Sequence, residues 1–83
     1  MVNRDRHSKA YTAIVECLVA RRRELGLTQA QLAARMGTDQ SQISKFERGE
    51  RRIDIIDFAR ICVALELDPG MPLKAVPLRP FSD

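Results

Sequence analysis

An all-α domain of four to five short helices is the fold the sequence predicts, and three observations predict it. The 83 residues are rich in Ala, Leu, Arg, Gln and Glu, with 5% aromatics and no Trp, a bias that favours helix over strand. Apolar residues recur at three- and four-residue steps, the period of an amphipathic helix. Gly26, Gly37 and Gly49 then punctuate those stretches at close intervals, as residues just past helix ends do. At 45% hydrophobic, the chain can fill one modest core and makes one domain.

The elements follow in order. Residues 1–8 are polar, without periodicity, and read as a flexible arm. Ser8 caps a first helix to about Leu25, with Tyr11, Ile14, Val15, Leu18, Leu25 and the stem of Arg22 on its apolar stripe. Gly26 ends it. Thr28, with Gln31 three residues on, has the capping-box pattern and opens a second helix, about Gln29 to Met36, that turns Leu32, Ala33 and Met36 inward. After Gly37, Asp39 caps a third helix, about Gln40 to Arg48, burying Ile43 and Phe46 and closing at Gly49. Asp54 caps a fourth, to about Leu65, with Ile55, Phe58, Ala59, Cys62 and Leu65 inward, Ile61 on the flank and Leu67 as a core plug. The domain proper thus covers 9–67. The segment 68–83 is a proline-rich tail, read as mostly extended. Asp68 and Pro69 suit a short helical turn, while Pro72, Pro77 and Pro80 oppose a long one, with Met71, Leu73, Val76 and Leu78 left for packing.

Charge is uneven. The formal net charge is +3, with residues 1–53 basic and the rest mildly acidic, which suits a polyanionic partner. Cys17 and Cys62 lie far apart without a CxxC or a companion His. That spacing fits no zinc pattern, and both read as buried structural thiols. No metal, cofactor or small-molecule ligand is implied. No nucleophile–base pair can be assembled, so an enzyme is not expected. The N-terminus lacks the apolar core of a signal peptide and no apolar run approaches spanning length, so a cytoplasmic protein with no membrane association is expected.

The stretch LTQAQLAARMGTDQSQISKFERG, Leu27 to Gly49, closely resembles the helix-turn-helix signature of the Cro/cI-type (XRE-like) repressor family. Thr28-Gln29, Leu32-Ala33, Gly37, Ile43-Ser44, Glu47 and Gly49 carry the match together, and the resemblance extends over about residues 9–67. It implies a compact four- to five-helix, lambda-repressor-like DNA-binding domain that acts on double-stranded DNA as a transcriptional regulator, a repressor in the first instance, and binds as a homodimer. The alternative is a protein-interaction module, such as a toxin-partnered antitoxin, that keeps the fold and binds a partner protein.

Roles follow from the motif. Beside the anchors Ile43 and Phe46, the third helix leaves Gln40, Ser41, Ser44 and Lys45 on its open face, a set of amides, hydroxyls and a cation suited to base edges in a major groove. The resemblance puts Gln40 and Ser41 on bases near the helix start and Ser44 and Lys45 one turn on. Thr28 and Gln29 lie at a helix N-terminus, where free N–H groups and the dipole favour a phosphate, and the family's Gln there also braces the first reading residue. Arg51 and Arg52, beyond Gly49, reach for phosphates as well, and Arg21 and Arg23 add to the basic field. Arg22, on the apolar stripe, and Glu47, on the inward side of the third helix, form a partly buried structural salt bridge in the family. Two departures stand out: Asp39 replaces the usual Ser or Thr, and Glu66 replaces the usual Gly or Asn, so the turn there is strained or the fourth helix runs on.

Overall fold

The computed structural model describes residues 8–76. Apart from Ser8, the expected arm lies outside the described residues, as do Pro77, Leu78 and Pro80. Five helices follow in order: α1 (Lys9–Glu24), α2 (Gln29–Met36), α3 (Gln40–Glu47), α4 (Ile55–Ala64) and α5 (Gly70–Leu73). No strand occurs among the described residues.

Side-chain caps start the first four helices. Ser8 accepts from the Tyr11 N–H at 3.0 Å, Asp39 from Gln42 at 3.1 Å and Asp54 from Asp57 at 2.7 Å. Thr28 and Gln31 form a reciprocal box, the Thr28 hydroxyl accepting from Gln31 N–H at 3.0 Å while the Gln31 carboxamide accepts from Thr28 N–H at 2.8 Å. Each such cap contributes about 1 kcal/mol.

The core joins Val15 and Leu18 of α1, Leu32 and Ala33 of α2, Ile43 and Phe46 of α3, and Ile61, Cys62 and Leu65 at α4. Tyr11, Ile14, Leu25, Leu27, Met36, Phe58 and Leu67 pack around it. Ala33 is buried within this core; a longer side chain there would push its neighbours apart. Both cysteines are free thiols, Cys62 buried as expected and Cys17 only half-buried, and burial pushes the Cys62 thiol up from its ordinary value.

Two expectations need correction. Ile55 and Ala59 do not face the core: both are exposed, Ile55 by 78%, while the flank residue Ile61 is 1% exposed. The tail is not mostly extended as far as Val76. Asp68 opens a helical turn, its carboxylate accepting from Gly70 N–H at 2.9 Å and its carbonyl from Met71 N–H at 2.9 Å. Pro72 is fully buried inside that turn. It sits in the first turn, where a missing N–H breaks no internal bond, and α5 packs against α1.

Arginines close two of the helix ends from across the fold. Arg21, expected in the basic field, donates from Nε to the Leu65 carbonyl and from Nη2 to that of Glu66, both at 3.0 Å. Arg35 donates to the Ala64 carbonyl at 2.8 Å, and Arg60 returns the favour at α2, donating to Met36 at 2.9 Å. These cations satisfy orphan carbonyls and oppose the negative ends of the helix dipoles. Glu66 has φ 52°, so the strained turn, not a longer α4, is the outcome of its departure from glycine.

Candidate nucleic-acid interface

The reversal between α2 and α3 depends on Gly37, at φ 72°, a left-handed conformation that costs glycine nothing. Thr38 N–H then bonds back to the Ala33 carbonyl at 3.0 Å. This tight closure sets α3 across α2 with Ile43 and Phe46 as anchors. Gln40, Ser41 and Lys45 are left exposed and Ser44 half-buried.

A hydrogen-bonded chain runs from the core to that open face. Arg22 donates from Nε to Glu47 Oε2 at 2.7 Å and from Nη2 to Glu47 Oε1 at 3.0 Å, with Nη1 on the Leu27 carbonyl at 2.7 Å. The paired side chains are 9% and 8% exposed. Gln29 Nε2 also donates to Glu47 Oε1, at 2.9 Å. Gln40 Nε2 in turn donates to Gln29 Oε1 at 3.3 Å. One Gln40 N–H and its carbonyl oxygen remain available, the donor–acceptor pair that matches the major-groove edge of adenine.

The serines differ in chemistry. Ser41 donates its hydroxyl proton to Asp39 at 2.8 Å, so it faces outward as an acceptor. That bond, followed by the Gln42 N–H, holds the Asp39 carboxyl below its ordinary value. Ser44 accepts from Arg48 and keeps its own proton to donate. Arg48 is gripped by Glu50 at 3.0 and 2.9 Å. The Asp39–Ser41 and Arg48–Glu50 pairs escaped sequence reasoning; their only trace is a charged residue two positions from its partner.

The remaining candidates flank α3. Thr28 uses its hydroxyl within the capping box, leaving the outward N–H groups of the first turn of α2. Arg51 approaches Asp57 at 3.4 Å. Arg52 lies over the Tyr11 ring, 5.0 Å from its centroid, and the Tyr11 hydroxyl accepts from Ile53 N–H at 3.2 Å. Among the described residues, no cluster of His, Cys, Asp and Glu could hold a metal ion, and no helix is long and apolar enough to cross a membrane.

Two helices joined by a glycine turn, the second with an anchored inner face and a polar outer one, define a helix-turn-helix domain. The helix-turn-helix family model matches residues 18–70, and the chain belongs to that family, in its XRE-type form. Among solved structures, it is similar to an XRE-family like protein from Pseudomonas syringae pv. tomato str. DC3000, with 41% identity, a TM-score of 0.76, and coverage of 82% of this chain and 85% of that one. No curated protein matches the sequence. At the family level these matches support a DNA-binding regulator.

Proposed function

We propose that the protein is a sequence-specific double-stranded DNA-binding regulator, a cytoplasmic repressor without enzymatic activity, that sets α3 in the major groove. Gln40, Ser41, Ser44 and Lys45 read base edges; Thr28, Gln29, Arg51 and Arg52 hold phosphates. Two copies read two half-sites about 34–36 Å apart. The observation that supports this reading best is the chain Arg22–Glu47–Gln29–Gln40. A solvated polar face needs no such bracing, whereas a base-reading amide must be held in a fixed orientation before it meets DNA.

Selection of the full chain on random duplex DNA tests it. The expected result is an enriched motif with two half-sites about one helical turn apart. Binding without a motif, at the nonspecific level of roughly 10⁻⁴–10⁻⁶ M, would leave the interaction-module reading in its place.

A further inference from the structure

Every base pair offers the major groove both acceptors and an amino donor, so a freely rotating hydroxyl, which can donate or accept, discriminates little. Ser41 is not free. Its hydroxyl lies 2.8 Å from Asp39 Oδ1, the oxygen that also accepts from the Gln42 N–H at 3.1 Å. The Asp39 carboxyl, held below its ordinary value by the Ser41 bond first, is ionised and has no proton to give. The proton in that contact is therefore the serine's own, and Ser41 Oγ presents only lone pairs to the outside. Ser44, three residues on, is set the other way, since Arg48 donates to it and its own proton is left over.

The consequence lies in which base edges such an oxygen tolerates. An amino group, N6 of adenine or N4 of cytosine, donates to it. The O4 of thymine and the O6 and N7 of guanine instead set one acceptor against another, and both lose their water without gaining a partner. The Asp39 charge acts in the same sense. Asp39 caps α3 and is exposed, as Ser41 is, so a negative potential covers this end of the helix and favours amino over carbonyl edges. Neither effect requires Asp39 to touch a base.

We infer that Asp39 is a specificity-determining positioning residue: by taking the Ser41 proton it makes Ser41 an acceptor only, which selects the orientation of one base pair that sets an amino group before it. The inference deepens the base readout proposed above and rests on it.

Selection of the full chain on random duplex DNA, repeated with Ser41→Ala, Asp39→Gly and Asp39→Asn, tests this. Ser41→Ala should flatten one motif position in each half-site and so mark the pair that Ser41 reads. Wild type should prefer that pair over its inversion by roughly fivefold or more. Asp39→Gly removes the acceptor while glycine remains an adequate N-cap, so the fold and the other positions should be kept and this pair alone should tolerate inversion. Asp39→Asn keeps an oxygen for the Ser41 proton and should keep the preference. Replacing the adenine or cytosine of that pair by its analogue without the amino group should weaken wild type more than Ser41→Ala.

An Asp39→Gly variant that retains the preference, or that flattens every position alike, would overturn the inference. So would equal losses on the amino-free duplex. Loss of the preference in Asp39→Asn would assign it to charge rather than to the proton, and would overturn it too. A wild-type motif that Ser41→Ala leaves intact would overturn this inference and leave reading by α3 standing, whereas the absence of any wild-type motif would overturn both.

Discussion

Arg22 grips Glu47 with two hydrogen bonds, at 2.7 and 3.0 Å, in a site where both side chains are over nine-tenths buried. The pair ties the first helix to the third. It also fixes the carboxylate oxygen on which Gln29 depends, so one ion pair serves both the fold and the candidate reading face.

Glu47→Ala should therefore destabilise the domain by about 3–5 kcal/mol, because it strands the buried Arg22 charge. Urea unfolding reads this directly. A loss under about 1 kcal/mol, the scale of an exposed pair, would show that water reaches the site.

Arg52→Ala should weaken binding to any duplex alike and reduce the salt slope by about one. The Arg52 guanidinium lies over the Tyr11 ring, and the proposed function gives it a phosphate to hold. Titrations at several salt concentrations measure the slope, and an unchanged slope would remove Arg52 from the phosphate set.

Glu66→Gly should stabilise the protein by roughly 0.5–1 kcal/mol. It relieves the left-handed conformation, partly offset by glycine's greater freedom when unfolded. The variant gives up only an exposed ion pair to Arg35 at 3.5 Å, while the carbonyl that Arg21 holds is kept. A lower thermal midpoint would contradict the strain.

Acid should act through Asp39. Its folded pKa lies below the ordinary 3.8, so its charge contributes stability above the unfolded value, and that contribution is lost as pH falls through the folded one. Asp39→Asn keeps a cap but removes the titration. The stability gap between wild type and variant should be open near neutrality and close in strong acid. A gap independent of pH would show that Ser41 and Gln42 do not favour the carboxylate.

Much of this was legible in the sequence because it is local. Capping residues, the glycines after α1 to α3 and the stripe of α1 all act within a few positions. The core-facing row of α4, Phe58, Cys62 and Leu65, was read correctly. Ile55, in step with it, is exposed in the first turn and Ile61 is buried instead, because periodicity does not say how far along a helix, or how far around it, the core reaches. The tail was misread because Pro72 was taken as a breaker, although in a first turn it is harmless. Arg21 reaches Leu65 across 44 positions, a contact that no local pattern encodes. At the candidate site the residue types were visible, but the direction of each serine's proton was not, since Asp39 and Arg48 set it through their own geometry.

The most direct test compares wild type and Gln40→Ala on the selected operator and on scrambled duplex of equal length at one salt concentration. Wild type should bind the operator at least roughly 10³-fold more tightly than scrambled DNA. Gln40→Ala should lose about 1–3 kcal/mol on the operator alone. Equal losses on both DNAs would make Gln40 a backbone contact, and equal wild-type affinities would contradict sequence-specific reading by α3.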